Sequence, residues 1–207
     1  MNHVSRIQTL YGWTPSYRQV FKKPALPEHK FKVPQTTGSS GWIVYDHEED
    51  KCYWYNKTIS IINVKLEFIG DAIFRAERLL DKYVISDVFV YSSINIFQST
   101  NFQTRYEWTK KIVLNMGPMF LHKSQINLPL RGYEYYDSDK GSTGVFVECE
   151  TIIKSNIPDV YHIKDKEGYV AVPDLKTSDY LRSMGSEFYL PCEEKDGVWY
   201  IKDVCIE

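Results

Sequence analysis

The stretch YVISDVFVYSSINIFQSTNFQTRYEWTKKIV, residues 83–113, decides the fold. It opens with a run of β-formers, Tyr83, Val84, Ile85, Val88, Phe89, Val90 and Tyr91, and sets Asp87 in their midst. A carboxylate in a buried strand is costly unless it is paired or used, so Asp87 demands a partner. Ser92 to Asn95 breaks the run as a turn, and Ile94 to Gln98 predicts a short strand. Asn101 then predicts an N-cap for a helix reaching Leu114, which Gly117 and Pro118 end. Arg105 sits at the start of that helix, where a cation opposes the dipole. It too needs a partner, and Asp87 and Glu107 are the carboxylates at hand.

Working outward, GWIVYDHEEDKCYWYNKT (41–58) reads as a hairpin, with DHEED as its polar turn. TISIINVKLEFI (58–69) reads as a strand with an irregular end. In GDAIFRAERLLD (70–81) the period changes. Ala72, Ile73, Ala76, Leu79 and Leu80 share one helical face with Arg75, Glu77 and Arg78 off it, which predicts a short helix. Downstream, TGVFVECE (143–150), IPDVYHI (157–163) and GYVAVPD (168–174) read as strands, and FYLPCEEKDGVWYIKDV (188–204) as a hairpin turning at Asp196-Gly197. Residues 1–32, with Pro15, Pro24, Pro27 and many basic residues, read as an arm, leaving 33–207 as the domain. The class is α+β, an antiparallel β-rich body with few helices.

The bulk numbers fit. With 207 residues, 43% of them hydrophobic, the chain can bury one sizeable core. A net charge of -2 gives no global field to attract nucleic acid, so any such site is a local patch. The four cysteines, Cys52, Cys149, Cys192 and Cys205, are scattered with no C-x-x-C, which argues against zinc and a disulfide framework and suits a reducing compartment. No apolar run has the length of a membrane span and the N-terminus lacks a signal-peptide core, so a cytoplasmic protein with no membrane partner is expected. His47, His122 and His162 stand apart and receive no metal role. The Ile-, Asn-, Lys- and Tyr-rich composition suits an AT-rich genome, such as a virus or phage, and in that case the host cytoplasm.

The order of elements around Asp87, then TRYEWTKKI, then KEGYVAVPD, covers about residues 32–173 and resembles the nucleotidyltransferase domain shared by DNA ligases, RNA ligases and mRNA capping enzymes. The resemblance implies that ligase/capping (ATP-grasp-like) fold, without a full OB-fold lobe, since few residues follow EGYVAVPD. In that family the lysine of a K-x-D-G-x-R motif attacks the α-phosphate of ATP or GTP, with Mg²⁺ or Mn²⁺ at the phosphates. Carried over, Asp87 matches the acid of the strand motif, Arg105 the arginine at the helix start and Glu167 the later acid, with Asp87 and Glu167 the candidates for any metal. Arg182, or less closely Lys176, matches a late phosphate contact. VPQTTGSSGW (33–42) stands where the lysine motif belongs. With Gly38 as the motif glycine, Gln35 falls at the lysine, Thr37 at the acid and Ser40 at the arginine. With Gly41 in that place, Gly38 and Ser40 take the first two positions.

Neither register supplies a nucleophile, and Lys30 and Lys32 are off the spacing. The expectation is a degenerate domain that binds a nucleotide, an RNA 5′ end or cap, or nucleic acid, without lysyl-nucleotide chemistry. The snurportin cap-binding domain, which resembles a capping enzyme without the lysine, offers a parallel. The TTGSSG run (36–41) has amides and hydroxyls that could cradle phosphate, and otherwise reads as a flexible loop. In the arm, Arg6, Arg18, Lys22, Lys23, Lys30 and Lys32 alternate with Tyr11, Trp13, Tyr17 and Phe21 as in single-strand binders, or as an arm packing its aromatics on the body. Two alternatives stand beside this. One is an active RNA guanylyltransferase or RNA ligase that uses an unrecognised lysine, such as Lys32, or a partner subunit. The other is a protein-interaction or assembly module that keeps the fold as scaffold.

Overall fold

A computed structural model describes residues 3–13, 19–21, 30–125, 130–137 and 143–202. The chain begins with helix α1 (His3–Tyr11) and strands β1 (Gln19–Phe21) and β2 (Lys30–Thr36). Then come β3 (Ser39–Asp46), β4 (Lys51–Asn56), β5 (Thr58–Ile62), β6 (Ala72–Leu79), β7 (Lys82–Tyr91) and β8 (Ile94–Asn95). Helix α2 (Phe102–Val113) leads to β9 (Phe120–His122), a 3-10 turn at Lys123–Gln125, β10 (Leu130–Asp137) and β11 (Thr143–Glu148). The chain continues through β12 (Glu150–Lys154), β13 (Tyr161–Ile163), β14 (Tyr169–Val170), α3 (Leu175–Ser183), β15 (Glu187–Leu190), β16 (Cys192–Lys195) and β17 (Val198–Ile201). The result is a β-rich α+β fold.

Three sheets carry it. The largest runs β5-β4-β3-β6-β7-β8, with β9 added in parallel beside β7. A four-stranded sheet runs β1-β11-β10-β2, and a six-stranded one β15-β12-β13-β14-β17-β16. The third has its own apolar cluster, including Ile152, Tyr161, Leu181 and Phe188. Its β16–β17 hairpin turns at Asp196 and Gly197, both at positive φ, as the sequence predicts for a two-residue turn.

Within 70–81, expected to hold a short helix, Ala72–Leu79 is instead strand β6, hydrogen-bonded to β3 on one side and β7 on the other. Alanine, leucine, glutamate and arginine favour helix locally, but pairing on both edges overrides that preference. Alternation then sends Phe74 and Ala76 into one core cluster and Ile73 into another on the opposite face. Leu80, at φ 54, makes the turn into β7.

Part of the expected arm is also ordered against the body. Residues 3–11 form α1, whose Val4 and Ile7 join Trp13, Trp42, Val44 and Tyr53 in one cluster. Trp13 meets Trp42 edge-on at 5.2 Å, and Arg6 Nη2 donates to Asp46 Oδ1 at 2.7 Å. Arg18, Lys22 and Lys23 of that arm, and Tyr17, lie outside the described residues.

Helix α2 forms where expected. The Asn101 side chain accepts from Thr104 N at 2.8 Å, and Lys110 and Lys111 occupy the last turn, where cations complement the dipole. Its Phe102 and Tyr106 pack with Val33 and Tyr136 of the four-stranded sheet, while Val113 joins the core of the seven-stranded one. α2 therefore ties two sheets together. Among the described residues, no helix is long and apolar enough to cross a membrane.

Candidate functional site

Where β2 hands over to β3, the chain leaves the four-stranded sheet and enters the seven-stranded one. Here TTGSSG is a tight connection rather than an open loop. The Thr36 amide and hydroxyl both donate to Glu77 Oε2, at 2.9 and 2.8 Å, and Gly38 N donates to Thr36 Oγ1 at 3.1 Å. A Cβ on Gly38 would lie 2.6 Å from the Arg78 carbonyl oxygen, so only glycine fits. The amides of Thr36 and Gly38, candidates for holding a phosphate, are thus turned inward.

Glu77 belongs to a buried polar cluster. Lys123, from the 3-10 turn after β9, puts Nζ 3.2 Å from Glu77 Oε2 and donates to Gln35 Oε1 at 2.5 Å. Gln35 Nε2 donates to Glu134 Oε1, and the Tyr136 hydroxyl donates to Glu134 Oε2. Gln35, Thr36, Glu77, Lys123, Glu134 and Tyr136 are all buried. The cluster draws on β2, β6, β10 and the turn after β9. Burial lowers the Lys123 amine below its ordinary value, Glu77 and Glu134 oppose that shift, and Arg75 adds to it.

Beside this cluster, Asp87 has found its partner. Arg105 Nε donates to Asp87 Oδ1 at 2.9 Å and Nη2 to Oδ2 at 3.2 Å, with both side chains fully buried. Arg105 Nη1 also donates to the carbonyls of Thr100, at 2.5 Å, and Phe97, at 3.1 Å. The guanidinium lies 4.4 Å from the centre of the Phe97 ring. A planar fork matched to a carboxylate in a dry setting is a strong, oriented contact. Of the two carboxylates at hand, Arg105 takes Asp87; Glu107 is exposed. Asp87 thereby fixes α2 to β7, with both its oxygens facing the guanidinium.

The other candidates from sequence are dispersed. Thr37 is exposed in the β2–β3 turn, and Ser40 lines a pocket of about 190 Å³ with Gly41, Trp42, Tyr55, Asn56, Lys57 and Arg75. Glu167 is exposed on a turn of the third sheet, where its carbonyl accepts from Trp199 Nε1 at 2.9 Å. Arg182, at the end of α3, forks onto Asp159, with Nε 3.0 Å from Oδ1 and Nη2 on Oδ2. Hydrogen bonds from Arg182 and Ser178 hold the Asp159 carboxyl below its usual range. Lys176 lines a pocket of about 260 Å³ near the start of α3. The cluster brings in only Gln35 from the set expected by sequence.

Glu77, Lys123, Glu134 and Tyr136 were not legible as site residues. Reading 70–81 as a short helix sets Glu77 off its apolar face. Reading it as a strand would have flagged Glu77 for the same reason as Asp87. Lys123 follows a short strand in an unremarkable context. Its neighbour His122 is fully buried, with Nδ1 2.8 Å from Ser124 Oγ. Burial, helped by Lys110 and Lys123, pushes the His122 pKa down to about 4, so the ring is neutral at physiological pH. Among the described residues, no group of three or more His, Cys, Asp or Glu side chains could hold a metal ion.

No family model matches the chain, and no curated protein matches it. Among solved structures, one titled Pmar-Lig_PreS3 aligns over 84% of this chain and 62% of its own, with 9% sequence identity and a TM-score of 0.39. The chain therefore spans about three fifths of the length of that structure.

Proposed function

We propose that the chain is a degenerate nucleotidyltransferase-like domain, cytoplasmic, that binds a nucleotide or an RNA 5′ end or cap without forming a lysyl-nucleotide at its β2–β3 connection. The observation that carries this is Gln35. The position that the resemblance gives to the nucleophilic lysine holds a buried carboxamide bonded at both ends, to Lys123 and to Glu134. An amide nitrogen has no basic lone pair with which to attack phosphorus. Ser40 pairs with Glu77 in the β3–β6 ladder, and the pocket it lines with Tyr55, Lys57 and Arg75 offers cations and an aromatic edge to a phosphate-bearing ligand, ATP or GTP with Mg²⁺ or Mn²⁺ in the first instance. The test is incubation with α-labelled ATP and GTP and either cation, followed by a denaturing gel. No labelled band is expected, while nucleotide or cap analogue raises Tm and Arg75→Ala weakens that rise. Calorimetry showing no binding of nucleotide, cap analogue or RNA would end the proposal.

One observation favours a second reading, an active enzyme with a relocated lysine. The Lys123 amine lies 2.5 Å from the Gln35 carboxamide and its pKa is depressed. On this reading Lys123 Nζ attacks the α-phosphorus, a P–N bond forms, the bond to pyrophosphate breaks, and the amine proton passes to Glu77 or Glu134. It predicts an acid-labile labelled band that Lys123→Met abolishes and Lys32→Met leaves in place.

A further inference from the structure

Among the described residues, a groove opens onto the main core between the β7–β8 turn and the outer face of α2. This groove, of about 450 Å³, is lined by Tyr91, Ser92, Ile94, Ile96, Trp108, Lys111 and Ile112. Its floor belongs to the largest apolar cluster, against which Tyr91, Ile96 and Ile112 pack. Its walls face water. Ile94 is 62% exposed and Trp108 42%. Gly70 sits so near the β7–β8 turn that a Cβ would come within 2.5 Å of Ser93 Oγ, and Ile69 beside it is 87% exposed. Single exposed apolar residues are ordinary, but a contiguous concave group continuous with the core marks a contact site. Lys111 is exposed on this rim, and among the described residues its side chain makes no ion pair or hydrogen bond.

We propose that this groove docks an amphipathic segment of a partner protein, which inserts aliphatic or aromatic side chains between Ile94 and Trp108 and sets a carboxylate against Lys111. The lining selects this occupant. Isoleucines accept alkyl side chains rather than the flat faces of bases, and a single rim cation offers one phosphate contact where a nucleic-acid strand needs several. A partly exposed tryptophan flanked by aliphatics is the usual composition of an energetic centre in a protein contact. The inference is independent of nucleotide binding, because the groove shares no residue with the Gln35 cluster.

The test selects phage-displayed random peptides of about a dozen residues on the immobilised full chain, then measures the enriched peptides by fluorescence polarisation. The enriched sequences are expected to carry large apolar residues at helical spacing with an Asp or Glu. Ile94→Asp and Trp108→Ala should each weaken binding about tenfold or more with little change in Tm. Lys111→Glu should weaken binding several-fold, and peptides with the acid changed to lysine should regain it. The proposal is overturned if no pattern is enriched, or if the peptides bind the Ile94 and Trp108 variants as tightly as wild type. Displacement of the peptides by poly(U), or a concentration-dependent dimer dissolved by Ile94→Asp, would also overturn it, giving the face to nucleic acid or to a second copy.

Discussion

Arg105 Nε lies 2.9 Å from Asp87 Oδ1, and neither side chain reaches solvent. Removing one partner strands the other charge in the dry interior. Arg105→Ala should therefore destabilise the chain by about 3–5 kcal/mol. The double change Asp87→Leu with Arg105→Met should cost much less than the sum of the single changes. Denaturant unfolding of all variants checks this; additive effects would mean the two groups are solvated.

Lys123 is the cation that holds two buried carboxylates, Glu77 directly and Glu134 through Gln35. Lys123→Met should lower stability by about 3–5 kcal/mol, and adding Glu77→Gln should restore part of it, since the uncompensated charge disappears. A double mutant no more stable than Lys123→Met alone would count against the cluster as drawn.

His122 gives a pH dependence with a definite sign. Its folded pKa of about 4 lies below the ordinary 6.5 because burial disfavours the charged ring. As pH falls below 6.5 the unfolded chain takes up the proton first. Stability is then lost progressively down to about pH 4, after which this group adds no further loss. The loss amounts to roughly 3 kcal/mol at most. His122→Gln should flatten that part of the stability profile, read as Tm against pH.

Burial pushes the Cys52 thiol up to about 12, so almost no thiolate forms at mildly alkaline pH. Cys192 is half-buried by comparison. Alkylation followed by peptide mapping should label Cys192 well before Cys52 in the native protein and both alike after denaturation. Equal native rates would refute the burial of Cys52.

Gly38 has no room for a side chain against the Arg78 carbonyl. Gly38→Ala should cost about 1–3 kcal/mol by pushing the β2–β3 connection off β6, seen as a lower Tm. An unchanged Tm would mean the connection has slack.

Local chemistry made some of this legible. Asn101, Gly117 and Pro118 delimit α2 through signals carried by the backbone nearby, and Asp196-Gly197 fixes its turn in the same way. Asp87 and Arg105 each break a local rule and so call for partners, but the sequence leaves Arg105 open between Asp87 and Glu107, and only the fold brings Asp87 to it. β6 was opaque because its residues prefer helix and its pairing depends on β3, far upstream (Ser40 opposite Glu77, 37 positions apart). Lys123 was opaque because its acids come from β6 and β10, and nothing in its own neighbourhood records them.

The β2–β3 connection belongs to two sheets at once, and the same short stretch gathers Thr36 onto Glu77 and Gln35 onto Lys123. Sliding one sheet past the other would strain both grips in a single stroke. The joint is therefore a latch rather than a hinge. It gives way as a unit, and the force that opens it must supply hydrogen-bonding partners for an amine and two carboxylates together.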